Sequence, residues 1–256
     1  MPLQIETIPC RTDNYAFLIH CEESGETALV DAPEAAPILA ALERNDWKLS
    51  HVFITHHHAD HVEGLDGLKA EYPDLRVVGA ADDAHRLPPL DMAVKDGDKF
   101  SFADETVEVV DVSGHTVGHI AFHLPDEKAA FTADSLMALG CGRVFEGTPE
   151  MMWDSLSRLA ALPKETIIHS GHEYTMTNAR FALTIEPENE ALKARAKSVE
   201  AAREQGLPTV PSLLSEELDT NPFLRAHLNE VKRAISMEGA GDAEVFAEIR
   251  RRKDQF

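Results

Sequence analysis

Val52-Phe53-Ile54-Thr55-His56-His57-His58-Ala59-Asp60-His61 decides the reading of this chain: an apolar run empties directly into four histidines and an aspartate. Imidazole and carboxylate are ligands of borderline divalent cations, and their density makes a metal site the leading expectation. The familiar helical arrangement, with two histidines four apart on one face, is not present. His56 and His58 are two apart, which puts them on the same side only if the backbone is extended or looping, so the motif sits at a strand end. Asp60 and His61 are adjacent, diverge from that pair and are placed to serve a second ion. His57 points away from its neighbours and is not expected to bind. A plain histidine-rich loop or a tag fits poorly, since tags lie at termini and lack the interleaved aspartate.

The 256 residues are 43% hydrophobic and 27% charged, ordinary for a globular protein with one large domain or two. The first residues show no basic segment followed by an apolar stretch, and no run approaches the ~20 apolar residues that span a bilayer, so a cytoplasmic protein is expected. Cys10, Cys21 and Cys141 are too few and too scattered for a disulfide framework, which agrees with a reducing compartment. A net charge of −21 argues against nucleic acid or anionic membrane as partner. It would also repel an anionic small substrate, which would need a local basic cluster to hold it.

Short β-like runs at 15–19, 27–30, 51–54, 75–78, 107–110, 120–124 and 129–132, many apolar on both sides, predict strands of buried sheets. Three-to-four spacing predicts helices at 35–45, 64–72 and 149–162, with Pro149 near a start. Ile167-Ile168 reads as the last strand. From Thr175 onward the chain is rich in Ala, Glu, Arg, Lys and Leu and reads as helices broken by Pro208, Pro211 and Pro222. The expected organisation is one domain at 1–172 and an α-helical one at 173–256.

Two ions need more donors than the first cluster holds. His115 follows a strand and a Gly turn, with His119 four residues on; Asp134 and His172 stand in the same place after their own strands. Each alone is weak, because a polar residue at a strand end is usually a cap or a core hydrogen-bonding group. Together they form a coherent set at one sheet edge. A carboxylate can bridge two cations, and Asp134 is placed for it.

His56-x-His58-x-Asp60-His61 with His115, Asp134 and His172 at these intervals closely resembles the binuclear metallo-β-lactamase superfamily, which implies an α/β fold, the αββα sandwich. Gly140-Cys141-Gly142-Arg143-Val144-Phe145-Glu146-Gly147, Gly171-His172-Glu173-Tyr174-Thr175, Asn178, Asn221-Pro222-Phe223-Leu224-Arg225 and Arg250-x-x-Lys253-Asp254-x-Phe256 narrow the likeness. From end to end the series resembles the hydroxyacylglutathione hydrolase (glyoxalase II) family. The resemblance implies one divalent ion on His56, His58 and His115, a second on Asp60, His61 and His172, and Asp134 bridging them. Zinc is the first expectation, with iron and manganese compatible with the same donors.

The activity so implied is hydrolysis of S-(2-hydroxyacyl)glutathione thioesters such as S-lactoylglutathione, the second step of methylglyoxal detoxification. A metal-bridging hydroxide would attack the carbonyl. Asp60 and Asp134 would then be catalytic as well as ligating, and His119 a support to the ligands. Arg250 and Lys253, three apart on one helical face, match the family's glutathione contacts, as do Arg143 and Tyr174, with Asn178 assisting. Position 145 is Phe where many relatives have Tyr, so a hydroxyl contact is missing there. Arg251 and Arg252 read as a basic helix end, and Cys141 as a small packed residue, since no base adjoins it. A monomer is expected. The alternatives are a mononuclear-iron glutathione persulfide dioxygenase and a non-enzymatic metal-binding protein of the same fold.

Overall fold

Three antiparallel strands, Gln4–Cys10, Asn14–His20 and Glu26–Val30, open a six-stranded sheet in the structure, a computed structural model that describes residues 3–256. Lys48–Phe53, Arg76–Ala80 and Met92–Val94 then add in parallel. Parallel neighbours need crossovers, and helices Ala35–Asn45 and Leu65–Glu71 supply the first two. The first ends with Asp46 in the left-handed region, its N–H returned to the last carbonyls of the helix.

The chain divides into two compact units. The first runs to Asp111 and includes Gly118–Phe131. In it, a second sheet is built from the antiparallel strands Lys99–Phe102, Glu105–Asp111, Ile120–Leu124 and the start of Ala129–Ala133. The two sheets face each other through aromatic side chains. Phe53 meets Phe100, Phe102 and Phe122 with ring centroids 5.2–5.8 Å apart, and Phe17 meets Phe131 at 5.6 Å. Burying such rings contributes about 2–3 kcal/mol each, which is why these strands are apolar on the inward side.

The second unit holds Val112–Val117 and everything from Thr132. Helix Pro149–Ala160 starts as expected, with Pro149 in its first turn and Thr148 Oγ1 accepting from Met151 N. It packs on helix Asp242–Asp254, where Trp153 and Phe246 lie 6.1 Å apart. Phe223 joins that core, 5.9 Å from both Phe181 and Phe246.

Ile167-Ile168 is not the last strand. Ile167–Ser170 pairs antiparallel with Ser212–Leu213, inside the segment expected to be helix alone. Pro208 and Pro211 stop any helix after Glu190–Glu204, and Ser212–Leu213, just beyond them, is held extended by its pairing with Ile167-Ile168. The residues that follow are helical: Leu214–Thr220, Asn229–Ala234 and Asp242–Asp254.

Candidate metal centre

Strand Lys48–Phe53 delivers the first cluster at its carboxyl end. Ile54 still donates its N–H to Val78 O; the chain then leaves the sheet and enters a single helical turn, Ala59–Val62, with His58 extended at its start. The strand-end geometry expected from the two-residue spacing is therefore present, and Asp60 and His61 lie on the turn.

Asp31, which the sequence reading passed over, aims this cluster. It ends the parallel neighbour Glu26–Val30, is buried, and has φ of 56°. Its Oδ1 accepts from Thr55 N at 2.9 Å, and its Oδ2 accepts from Thr55 Oγ1 at 2.8 Å and from His61 Nδ1 at 2.7 Å. Since the Thr55 hydroxyl proton goes to Asp31, the Thr55 oxygen receives the Nδ1 proton of His56, 3.0 Å away. His56 and His61 thus keep their protons on Nδ1 and their lone pairs on Nε2, the state a metal ligand needs.

His56 Nε2 and His58 Nδ1 converge to 3.2 Å. Two nitrogens on one tetrahedral zinc would stand about 3.3 Å apart, so the pair already has the spacing of one ion's ligands. Asn14, also missed in the sequence, donates from Nδ2 to Asp60 O and Asp60 Oδ2, both at 3.1 Å. His119 is fully buried with its ring stacked on His56, centroids 4.5 Å apart, as a supporting residue would be. His57 turns elsewhere, its Nδ1 3.1 Å from Asp83 Oδ2.

In the second unit, Asp134 stands between two histidines. Oδ2 is 3.3 Å from His115 Nε2, and Oδ1 is 3.3 Å from His172 Nε2. One carboxylate offering a separate oxygen to each of two imidazoles is the arrangement of a bridge. His115 is aimed by its Nδ1–H, which donates to Arg143 O at 2.8 Å, and its own carbonyl accepts from Phe145 N and Glu146 N. Gly142 lets the backbone pass here, because a Cβ at that position would lie 1.9 Å from Asp134 O and 3.0 Å from His115 Nδ1. The His172 ring stacks on Tyr174 at 4.7 Å.

The residues expected to grip substrate fall into two groups. Phe145 (62% exposed), Tyr174 (40% exposed) and the guanidinium of Arg143 reach solvent, with the Phe145 ring 5.2 Å from that of His115. Asn178 and Arg250 are buried and donate to the carbonyls of Ala138 and Cys141, both at 3.0 Å. Lys253 is half-buried against the Phe181 and Phe256 rings. Burial, then the nearby charges of Arg250 and Arg143, push its ammonium down to about 8. Arg251 and Arg252 pair with Glu248, in keeping with a structural role. Burial pushes the Cys141 thiol up to about 11, so it holds no thiolate at neutral pH and packs as expected.

Comparison with known proteins agrees with these features. The model of the metallo-beta-lactamase superfamily matches residues 12–172, and that of the hydroxyacylglutathione hydrolase C-terminus matches residues 173–256. Hydroxyacylglutathione hydrolases from Ruegeria pomeroyi, Cereibacter sphaeroides and Mesorhizobium japonicum are 63%, 60% and 52% identical, each over 100% of both chains. Among solved structures, the BLEG-1 B3 metallo-beta-lactamase superposes with a TM-score of 0.67 at 18% identity, covering 86% of this chain and 99% of that one. ETHE1 from Myxococcus xanthus gives 0.66 at 24% identity, covering 98% and 97%. At such identities the likeness is one of fold.

Proposed function

The chain belongs to the metallo-beta-lactamase superfamily and, within it, to the hydroxyacylglutathione hydrolases, and on that footing we propose how its residues carry out the hydrolysis of hydroxyacylglutathione. It is a metal-dependent thioester hydrolase with the αββα fold of that superfamily and a C-terminal helical region. The proposal assigns His56, His58 and His115 to one divalent ion, Asp60, His61 and His172 to a second, and Asp134 to both; each set has the donor chemistry of a metal site. The observation that carries it is the placement of the two Asp134 oxygens, each 3.3 Å from a different imidazole nitrogen.

Divalent ions at such donors supply Lewis acidity, towards water and towards a carbonyl alike. Everything else falls to the chain. Asp31, through Thr55 and directly, holds His56 and His61 in the ligating tautomer. Asp60, steadied by Asn14, accepts a hydrogen bond from the attacking water and orients it. No serine or cysteine nucleophile is needed, and Cys141 is not protonically equipped to be one.

Glutathione is anionic while the chain carries −21, so the grip must be local. Arg143 and Lys253 provide it, with Tyr174 and Phe145 as aromatic walls. Arg250 and Asn178 contribute by holding the backbone at Cys141 and Ala138, in the stretch that leads to Arg143. In this reading residues 1–172 form the catalytic domain and 173–256 the substrate-binding one. S-lactoylglutathione is the substrate, zinc the resident metal, and the protein acts as a cytoplasmic monomer. Three buried cysteines outside any disulfide support the reducing location.

The test follows S-lactoylglutathione hydrolysis by absorbance with elemental analysis of the same sample. About two metals per chain, with turnover lost on chelation and restored by metal, is the expected result. Fewer than about one and a half metals per chain with no turnover after reconstitution would overturn the binuclear reading.

A further inference from the structure

Leu136–Met137 and Gly140–Cys141 form a small hairpin that lies, in sequence, between Asp134 and Arg143. Its tip is turned into the protein. Leu139 is fully buried with φ of 55°, a region that side-chain-bearing residues seldom adopt, and packs on Ala179, Ala182 and Leu192.

Side chains from the C-terminal helices take the backbone groups of this hairpin one after another. Asn178 Nδ2 donates to Ala138 O at 3.0 Å, and Arg250 Nη1 donates to Cys141 O at 3.0 Å. Leu139 N donates to Glu217 Oε2 at 2.9 Å. Asn221 Nδ2 donates to Met137 O at 3.1 Å and to Gly140 O at 3.0 Å, and it also reaches Glu217 Oε2 at 3.0 Å. Glu217 and Asn221 are both fully buried, and Arg195 balances the Glu217 charge. Apolar side chains would cover the hairpin without the desolvation cost of a buried acid and amide. What the polar pair adds is direction, since its donors and acceptors match one backbone conformation.

The hairpin conformation passes directly to the proposed ligands. Gly142 N donates to Ser135 O at 3.1 Å beside Asp134, and Arg143 O receives the Nδ1–H of His115 at 2.8 Å. With no space for even a methyl group between Gly142 and Asp134, a shift of the hairpin displaces both residues.

We propose that Glu217 and Asn221 are positioning residues of the metal centre: by pinning the 137–140 turn they hold Asp134 and the carbonyl that aims His115. This rests on the reading of Asp134 and His115 as ligands. The C-terminal helices are then part of what builds the metal site, in addition to any grip on glutathione.

The experiment is a cobalt(II) titration of the full-length, metal-free chain, followed by its visible ligand-field bands, with folding checked by circular dichroism. The chains compared are the unaltered one, Asn221→Ala, Asn221→Asp and Arg225→Met. Asn221→Asp keeps the shape and the oxygen that accepts from Phe223 N at 3.1 Å, but loses the amide donors, so it serves if the alanine variant does not fold. Arg225, in the same loop four residues after Asn221, pairs with Glu186 and Glu230 and reports the effect of lost stability alone. Both Asn221 variants are expected to bind cobalt about tenfold more weakly with altered bands. Arg225→Met is expected to melt earlier and keep the affinity and bands of the unaltered chain. Wild-type affinity and bands in a folded Asn221 variant, or an equal loss in Arg225→Met, would overturn the positioning role while leaving the ligand reading intact. If the unaltered chain takes up no cobalt, the ligand reading itself falls, and this inference with it.

Discussion

Replacing Asp31 by Asn keeps the side-chain shape and should still disable the first histidine cluster. In the native arrangement Oδ1 accepts from Thr55 N, while Oδ2 accepts from the Thr55 hydroxyl and from His61 Nδ1. An amide has one acceptor and one donor. If its oxygen stays opposite Thr55 N, its NH2 faces the hydroxyl and His61. His61 must then accept at Nδ1 and carry its proton on Nε2, and the Thr55 hydroxyl, reversed, forces the same tautomer on His56. Both lone pairs proposed to bind metal are lost. If the amide flips, the lone pairs return, but its NH2 meets the Thr55 N–H and leaves a buried donor unsatisfied, at about 1–3 kcal/mol. The cheaper escape sets the penalty on metal binding, and 1–3 kcal/mol corresponds to roughly a 5- to 150-fold loss of affinity. Isothermal titration with zinc against a competing chelator reads this directly, alongside melting of the metal-free chain. The metal-free Asp31→Asn variant should melt close to the unaltered chain and bind zinc about ten- to a hundredfold more weakly. Unchanged zinc affinity in a folded variant would refute the tautomer argument.

Three further outcomes are expected. Lys253 has its pKa lowered to about 8, so its charge is lost in the folded chain as pH rises through that value, while an unfolded lysine stays charged to about 10.5; KM for S-lactoylglutathione should therefore rise between pH 7 and 9, and Lys253→Arg should flatten the rise. The same sign makes the folded chain bind fewer protons than the unfolded one in that window, so this group's contribution to stability increases with pH between about 8 and 10.5. Arg250→Ala strips a buried carbonyl of its donor and should lower the melting temperature by several degrees, about 2–3 kcal/mol, whereas the exposed Arg143→Ala should leave melting unchanged and raise KM; equal melting of the two would contradict the burial argument. Gly142→Ala must push the backbone at Asp134 aside, so metal content by elemental analysis should fall well below that of the unaltered chain, and full occupancy would show the passage to be looser than described.

The strand ends were readable because a buried strand is a short apolar run, and four of the proposed ligands follow such a run within a few residues. His56, His115, Asp134 and His172 all carry that mark. Asp31 carries it too, after Ala28-Leu29-Val30, yet an aspartate before Ala32-Pro33 looks like a turn residue, and only the parallel pairing of Glu26–Val30 with Lys48–Phe53 shows it facing Thr55. The strand Ser212–Leu213 was illegible for a different reason: two residues set no period, and their extended form comes from pairing with a strand far back in the chain. The family resemblance offered Arg250 and Asn178 as glutathione contacts, and their links to the rest of the chain were not visible. They also donate to backbone carbonyls, which every residue has, so sequence holds no sign of that link.

The hairpin at 136–141 is finished by groups that lie far downstream: Glu217, Asn221 and Arg250 reach it across 78, 84 and 109 residues. Synthesis at about 5–20 residues per second puts several seconds between His172, the last proposed ligand, and Arg250. A nascent chain thus displays all seven proposed donors before the turn proposed to order Asp134 can settle. On that proposal cation uptake at the finished centre is a late event in the life of the polypeptide, and a ribosome stalled short of residue 217 would hold a chain with every proposed donor and no ordered site to join them.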